Sequence, residues 1–521
     1  MWKKILAAVL ASAMVLSALA GCNNGGDTED TTAKADTTAK ADDADEGDDD
    51  ASGEIVEISL YHSLYNRNTP DDAQVEKVRV RINELLEEKG ATVRLGKLTE
   101  VHNSEYADKA NLALANNEID LLWNASWWST IGTDDLWRND AAYDITDLLP
   151  GTVLWDSMPE GIWDASTYEG RVLFIPVYKE SYEGYDMQTL QKWVDEFGWA
   201  DEIDDVTWFD KLEPYLIELK DAGVKYPYVS FAMHYRWLLD TFDSINDSNS
   251  FFGVRRTTNE PEMLFDSEEY AELSKYHGDF YEKGYIHEDS VTNNMPAGYG
   301  STEDVGFWMW TDTPGDEVQN ASDRDQNQKY IIENWTGRYV HSTTTLGSCY
   351  TVTKSCDEAK AKACIEFLGL LYTESDIADV FMCGIEGEDF EYVEVDGETR
   401  IHQIAEGTYN HSNWEVVSVM APTLLDTEPA DKKEDYTYRN ENADVSIAAG
   451  FRFDKSDDEI QAIYTACGNI HSELGEPLEY GAIAPDEVDD YIADYKQKLM
   501  DAGFQTLFDE FASQYNAWKA E

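Results

Sequence analysis

The sequence predicts an α/β protein whose first sheet is mostly parallel and carries helices on its faces. Strand, helix, strand, helix and strand patterns follow one another from about residue 55 onwards, an alternation that is typical of such sheets. The length of 521 residues corresponds to roughly two to four folding units. The hydrophobic content of 42% is sufficient for a well-packed core.

Periodicity and capping residues define the opening elements. The predicted elements are a strand over 55–62, a helix with Thr69 as N-cap and Pro70 as its first residue that stops at Gly90, a strand over 92–98, a helix from Ser104 and a strand over 119–123. Val56, Ile58 and Leu60 share one face of the first strand, as the two-residue period of a strand requires. The sequence therefore predicts a β-α-β-α-β start.

Further elements follow along the chain. They are a turn followed by an apolar strand within 168–178, which Pro176 breaks, an aromatic strand over 303–311, a strand-like run over 343–353, a helix opened by a capping box from Ser355 to Glu358, and two C-terminal helices, from Asp486 and after Gly503. Proline interrupts strands because it lacks the backbone donor, so Pro176 indicates an edge or a crossover. The C-terminus is predicted to be helical.

A cluster of aromatic residues follows the third predicted strand. Trp123, Trp127 and Trp128 fall within six residues, and Tyr61 and His62 close the first strand. In open α/β sheets, ligands bind beyond the carboxyl ends of the strands. These two segments are therefore the first candidates for a ligand site.

Charge excludes several classes of partner. The chain has 39 basic and 105 acidic residues and a net charge of −66. Binding to nucleic acid needs a basic face, and docking on anionic lipid needs basic residues. After the first twenty residues no apolar run approaches the roughly 18 residues of a spanning helix. The sequence therefore predicts neither a nucleic-acid-binding protein nor a polytopic membrane protein.

The first 54 residues are predicted to export and anchor the chain. Lys3 and Lys4 precede an apolar run over 5–19, which is typical of a secretory signal. The Leu19-Ala20-Gly21-Cys22 sequence resembles a bacterial lipobox, which implies cleavage of residues 1–21 and lipidation of Cys22. An ordinary signal peptide is the alternative. Residues 22–54 are rich in acids and lack an apolar period, so a disordered tether is expected.

The remaining cysteines and histidines show no metal-site or disulfide pattern. The other five cysteines are expected to be buried apolar residues, although one bridge stays possible: Cys349, Cys356, Cys364, Cys383 and Cys467. The nine histidines fit no zinc spacing, and no P-loop, G-x-S-x-G or H-E-x-x-H motif occurs. Neither a cofactor nor a metal is predicted.

The order of several segments resembles a known family. The segments are Tyr143-Asp-Ile-Thr-Asp-Leu-Leu-Pro150, Glu169-Gly170-Arg171 with Ile175-Pro176, Phe307-Trp-Met-Trp310, and residues 351–372, 381–390 and 450–454. Together they resemble bacterial family-1 extracellular solute-binding lipoproteins of ABC importers, in a LipO-like branch with its C-terminal block. The resemblance covers roughly residues 55–521.

The resemblance implies an architecture and partners. It implies a two-lobed, periplasmic-binding-protein-like (type II) fold with a hinge of crossing strands. Lobe 1 would comprise residues 55–176 and 347–385, and lobe 2 residues 177–346 and 386–521. The lobes of such a protein close on a small-molecule ligand, and a membrane permease driven by ATP accepts the loaded form. A monomer held at the outer face of the cytoplasmic membrane only by its lipid is expected.

The candidate ligand is a carbohydrate. Indole and phenol rings offer flat apolar faces to sugar rings, and polar groups satisfy the hydroxyls. The candidate ligand-binding residues are Tyr61, His62, Trp123, Asn124, Trp127, Trp128, Tyr178, Lys179, Glu180, Trp308, Trp310, Trp335, Arg338 and Trp414, with Ser126 as a further polar candidate. For each tryptophan the alternative is a place in the core. Trp308 and Trp310 share strand parity, so both face the cleft or both face the core.

The sequence thus predicts a lipid-anchored protein that captures a carbohydrate, an oligosaccharide above all, for an ABC importer, and that is not an enzyme. A secreted glycoside hydrolase is one alternative, because such enzymes use paired carboxylates. The same fold with a peptide or amino-acid ligand is another, and an adhesive surface protein is a third.

Overall fold

A computed structural model describes residues 54–64, 70–128, 130–243, 245, 251–291, 304–315, 328–404 and 407–520. The predicted signal peptide, Cys22 and the tether up to residue 53 lie outside these residues. None of the helices in the described ranges is both long and apolar enough to cross a bilayer.

The first sheet has five strands. Their spatial order is Val93–His102, Val56–Leu64, Leu121–Asn124, Cys349–Val352 and Ile175–Pro176. The first three run parallel, and Cys349–Val352 lies antiparallel between Leu121–Asn124 and Ile175–Pro176. The mostly parallel opening sheet is therefore confirmed. The strand Cys349–Val352, which returns to this sheet late in the chain, is its antiparallel exception.

The second large sheet has four strands, ordered Lys329–Ile332, Tyr185–Leu190, Val305–Thr311 and Tyr226–Val229. The smaller sheets combine Phe242–Asp243, Phe252–Arg255 and Glu260–Met263; Tyr339–Val340 and Asp444–Val445; Phe390–Val395 and Glu398–Gln403; and Thr167–Tyr168 and Arg171–Val172. The predicted aromatic strand over 303–311 is thus confirmed.

Helices cover both large sheets. Before the strand Cys349–Val352 they are Asp72–Glu88, Asn103–Ala115, Thr133–Arg138, Val153–Asp156, Glu160–Ala165, Gln191–Phe197, Phe209–Asp221, His234–Trp237, Glu268–Glu282 and Ser342–Thr345. After it they are Glu358–Thr373, Ser375–Cys383, Asn413–Val416, Lys432–Asn442, Asp458–Ile470, Glu476–Glu479, Val488–Asp501 and Phe504–Lys519. The helical C-terminus is confirmed.

Two helix starts differ from the prediction. Asp71 caps the first helix by accepting from the backbone nitrogen of Gln74. Asp357 caps the helix Glu358–Thr373 by accepting from the nitrogen of Lys360. The capping box from Ser355 is therefore wrong. In both cases an aspartate closer to the helix supplies the acceptor, as N-caps favour. The strand-like run over 343–353 is a helical turn followed by the strand Cys349–Val352.

The apolar side chains form two cores. Buried residues within 58–178 and 346–425 make the first core, and those within 185–335 and 448–515 make the second. The helix and hairpin residues within 390–425 pack in the first core, whereas the sequence assigned them to lobe 2. The division into lobes stays a prediction. The five described cysteines are buried and free of disulfides, as expected.

The chain passes between the cores three times, through residues 179–184, 336–345 and 426–447, which we call the crossing segments. The first and second are joined by backbone hydrogen bonds in both directions between Glu183 and Tyr339, at 2.8 and 2.9 Å. The second and third pair in parallel, with Tyr339 opposite Asp444. Continuous backbone pairing therefore links the three crossings, as a hinge of crossing strands requires.

Candidate functional site

The loop after the third strand is held at the carboxyl end of the first sheet. The strand Leu121–Asn124 is fully buried, and the chain turns at Ala125. The backbone nitrogen of Ser126 donates to the carbonyl of Leu346 at 2.9 Å. The loop therefore abuts the end of the second crossing segment.

Trp127 presents its ring to solvent. It is 42% exposed, although tryptophan is a large apolar residue. Its indole nitrogen donates to the carbonyl of Gly347 at 2.7 Å, and its ring centroid lies 5.3 Å from that of Trp128. The ring is thus held in a fixed place while its face stays accessible.

Trp128 and Trp414 are half-buried, and both pack against Trp123. Trp128 stacks on Tyr106 with ring centroids 5.1 Å apart, and Trp414 packs against the first core, 6.3 Å from Trp123. We call Trp127, Trp128 and Trp414 the aromatic patch. Flat apolar surfaces of this kind, edged by polar groups, suit the C–H faces of pyranose rings.

A second group of polar side chains surrounds the crossing segments. Lys179 forms an ion pair with Glu180, and Asp312 binds the guanidinium groups of both Arg338 and Arg439. Asp312 is 3% exposed at its side chain. Two guanidinium groups therefore compensate its buried charge, as buried ions require.

Asp186 lies next to this group, opposite Trp310 in the strand register. Its carboxylate accepts from the backbone nitrogen of Asn334 at 3.0 Å. Burial first, and then the negative charge of Asp312, raise the pKa of Asp186 to about 8. Protonated Asp186 both donates and accepts hydrogen bonds near neutral pH.

Comparison with solved structures identifies the fold. The N-glycan transport solute binding protein (NgtS) of Streptococcus pneumoniae superimposes with a TM-score of 0.74 at 18% identity, over 88% of this chain and 98% of that one. The chain has the fold of a type II solute-binding protein. This confirms the predicted fold class.

Other proteins share the solute-binding fold. An extracellular solute-binding protein from Bifidobacterium longum subsp. infantis has a TM-score of 0.53 at 16% identity, over 89% of this chain and 99% of that one. The S. pneumoniae ABC-transporter substrate binding protein FusA, in complex with kestose, has a TM-score of 0.53 at 13% identity, over 89% of this chain and 100% of that one. A family model described as a domain of unknown function (DUF3502) matches residues 447–520. No curated protein matches the chain in sequence.

Three predicted tryptophans lie inside the cores of this solute-binding fold. Trp123 donates to the hydroxyl of Ser348 at 2.9 Å, and Trp308 donates to the side-chain oxygen of Gln188 at 3.0 Å. Trp335 is 3% exposed and packs on other rings. These three indoles stabilise the two cores in this conformation, so we do not include them in the candidate site.

Most of the other predicted ligand-binding residues are buried. Tyr61, His62, Asn124 and Tyr178 are buried. Within the described residues the amide nitrogen of Asn124 has no hydrogen-bond partner, while its oxygen accepts from Thr351 at 2.8 Å. Burial raises the pKa of Tyr178, which outweighs the hydrogen bond from Asn440. Trp310 is half-buried against the second core.

Sequence reasoning missed the pairing of Asp312 with Arg439. The two residues are 127 positions apart, and no local pattern links a strand end to a helix so distant. The wealth of acids in the chain also hides the few that are buried. The one signal in the sequence is the scarcity of basic residues. A buried acid needs a basic partner, and the chain has 39 lysines and arginines to supply it.

The structure also has a shallow depression elsewhere. It measures about 400 Å³ and is lined by the hairpin residues Glu398 and Arg400 together with Thr423 and Lys433. None of the predicted ligand-binding residues lines it. It therefore adds no support to the predicted site.

Proposed function

We propose that this chain is an extracytoplasmic solute-binding protein that captures a carbohydrate, in particular an oligosaccharide, for an ABC importer. The observation that carries the proposal is the aromatic patch at the carboxyl end of the first sheet, with Trp127 42% exposed. The solved neighbours include NgtS in complex with Man1GlcNAc and with Man5GlcNAc and FusA with kestose. Exposed tryptophan on a solute-binding fold supports stacking against a sugar ring.

In this proposal the aromatic patch supplies the apolar face of the site and the crossing segments supply its polar groups. Lys179, Glu180 and Arg338 carry charged groups suited to sugar hydroxyls. Because these residues sit on or beside the crossing segments, a ligand that contacts them favours one arrangement of the two cores over another. A ligand shifts such an equilibrium only by its difference in affinity for the two states.

Catalysis is not part of the proposal. The alternative of a glycoside hydrolase requires two carboxyl groups that are free to act on a sugar. Asp186 and Asp312 are the close pair near the crossing segments, but both oxygens of Asp312 are bound to arginine. The alternative of a peptide ligand favours an arginine whose charge is free to clamp a carboxylate. The charge of Arg338 is compensated by Asp312, which binds its Nε, and its other N–H groups suit neutral hydroxyls.

The place of the protein in the cell rests on residues 1–54. We propose that residues 1–21 are a signal peptide, that Cys22 carries the lipid, and that the acidic tether holds a monomer near its permease. These residues carry the lipobox-like sequence and a run of acids that favours an extended chain.

Titration calorimetry with Man1GlcNAc, Man5GlcNAc, kestose and alginate oligosaccharides tests the proposal. We expect at least one to bind, and Trp127→Ala to weaken that binding by about 1–3 kcal/mol, or roughly 5- to 150-fold in Kd. Leu112→Ala, which removes an apolar side chain that is 66% exposed and lies outside both the patch and the crossing segments, is the control. Equal affinity of Trp127→Ala and the unmodified protein would contradict the proposed site, and release of shorter sugars on incubation would indicate an enzyme.

A further inference from the structure

A buried group of three side chains beside the first sheet has metal-ligand chemistry. His62 and Glu100 lie opposite each other on the parallel strands Val56–Leu64 and Val93–His102. His411 joins them from the segment that precedes the helix Asn413–Val416. One donor atom from each of the three residues lies within 4.8 Å of the other two. We call these residues the buried triad.

The donor distances suit a small divalent ion. Nδ1 of His62 is 3.5 Å from Oε2 of Glu100, and Nε2 of His411 is 3.2 Å from Oε1. Zinc binds nitrogen and oxygen at about 2.0–2.2 Å in a tetrahedron, which places its ligands roughly 3.3 Å apart. An ion between the three groups therefore needs only small movements of the side chains.

His62 is the observation that points to a ligand. Its side chain is fully buried, and within the described residues neither of its ring nitrogens has a hydrogen-bond partner. The carboxylate of Glu100, 3.5 Å from Nδ1, is too distant for a well-formed hydrogen bond, so the buried imidazole is not fully compensated for its lost hydration, which is costly. Rings of Trp123, Phe381 and His411 surround it at 5.4, 5.5 and 4.7 Å. A metal ion coordinated by one ring nitrogen of His62 would give that nitrogen the partner that the protein does not supply.

A second layer of contacts orients the ligands. The hydroxyl of Tyr409 donates to Oε1 of Glu100 at 2.8 Å, and Oε2 of Glu415 lies 3.5 Å from Nδ1 of His411. Metal-bound histidines commonly direct their other nitrogen towards a carboxylate, which fixes the tautomer and strengthens the ligand. The surroundings of His411 follow this pattern.

We propose that His62, Glu100 and His411 bind a divalent transition-metal ion of the zinc type. Two imidazoles and one carboxylate are ligands that zinc prefers, with the fourth position left to water. The ion would fasten the segment that carries His411, and with it Trp414 three residues later, to the first sheet.

The full chain, stripped with EDTA and dialysed, tests the site with Zn²⁺ and Co²⁺. We expect one equivalent of Zn²⁺ to raise the melting temperature by several degrees, and Co²⁺ to give the visible bands of a low-symmetry site. His62→Phe fills the same apolar space without a nitrogen, so it should fold without metal and lose both responses. His402→Gln, which alters a histidine paired with Asp426 at 2.8 Å, should keep both.

Competition with a chelator at low free metal separates this site from weak binding to surface acids. Unchanged melting of the stripped chain on addition of Zn²⁺ would overturn the proposal and leave the triad as a metal-free ion network. Equal Co²⁺ bands in His62→Phe and the unmodified chain would overturn it as well, because the ion would then lie elsewhere. Neither result depends on a sugar, so the site fails or stands independently of the proposed function.

Discussion

The indole nitrogen of Trp127 donates to the carbonyl of Gly347 at 2.7 Å. Gly347 lies two residues beyond the end of the second crossing segment, so the most exposed ring of the aromatic patch is attached close to the backbone that joins the two cores. A ligand that stacks on Trp127 therefore binds next to the second crossing segment, which links the two cores.

Trp127→Phe separates the ring from its hydrogen bond. Phenylalanine keeps a flat face but has no donor for Gly347, so we expect ligand binding to weaken less than in Trp127→Ala. The lost bond should lower the free energy of unfolding by about 0.5–1.5 kcal/mol. Calorimetry and urea unfolding measure the two effects, with Trp518→Phe as a control outside the patch. Equal loss of affinity in the Phe and Ala variants would argue against stacking.

Arg452 joins residues of the two cores. Its guanidinium lies 3.4 Å from the ring centroid of Tyr168, which is buried in the first core, and its Nη1 atom lies 3.5 Å from Oδ1 of Asp134. Replacement by Lys removes the planar group that stacks, and we expect a loss of about 1–2 kcal/mol in urea unfolding. Arg171→Lys, at an exposed pair with Glu169, should change stability by less than about 0.5 kcal/mol. Similar losses in both variants would show that the stacking contributes nothing special.

Asp312 forms ion pairs with two guanidinium groups, those of Arg338 and Arg439. In Asp312→Asn, Arg338 and Arg439 lose the charge that compensates them, and we expect unfolding to require about 3 kcal/mol less. The pKa of Asp186 should fall at the same time, because the charge of Asp312 contributes to raising it. Urea unfolding and carboxyl titration by NMR measure the two effects. Glu105→Gln, at an exposed pair with Lys109, is the control and should change neither quantity. An unaltered Asp186 titration in Asp312→Asn would contradict the coupling.

The pair of His341 and Glu183 predicts a pH dependence. Burial lowers the pKa of His341 and Arg256 lowers it further, but Glu183 and then Asp243 outweigh both and raise it. A histidine with a raised pKa contributes stability below its unfolded pKa of about 6.5, and this contribution is lost as pH rises through the folded pKa. Burial raises the pKa of Glu183, but His341 outweighs it and holds that pKa at about 2.

When the pH rises from about 6 to about 9, the free energy of unfolding should therefore fall less in His341→Gln than in the unmodified protein. Urea midpoints at the two pH values measure the difference. His287→Gln, at a partly exposed pair with Asp289, is the matched control and should follow the unmodified protein. Parallel pH profiles for His341→Gln and the unmodified protein would refute the assignment.

Much of the fold was predictable because it depends on local periodicity. Val56, Ile58 and Leu60 alternate as a strand requires, and the apolar faces of the last two helices repeat with the helical period. The helix caps were misplaced because several capping residues stand close together at each start, and only the backbone decides which one is used. The turn predicted at the start of 168–178 joins the paired strands Thr167–Tyr168 and Arg171–Val172, and the apolar strand predicted after it is two short pieces, Arg171–Val172 and Ile175–Pro176.

The candidate site was predictable in part. The position of Trp127 and Trp128 after a buried strand indicates the sheet edge where the structure places them. The same reasoning does not predict that Trp127 is exposed and Trp123 is buried, because exposure depends on what packs over each ring. The buried triad was out of reach, because His411 is 311 positions from Glu100 and neither lies in a metal-binding motif.

The three crossings have a consequence for how the chain matures. The first core takes side chains up to Leu425 and the second up to Tyr515, so neither half is complete in a nascent chain that ends much earlier. A growing polypeptide of several hundred residues would still lack a finished interior. The two interiors therefore become complete only late in synthesis.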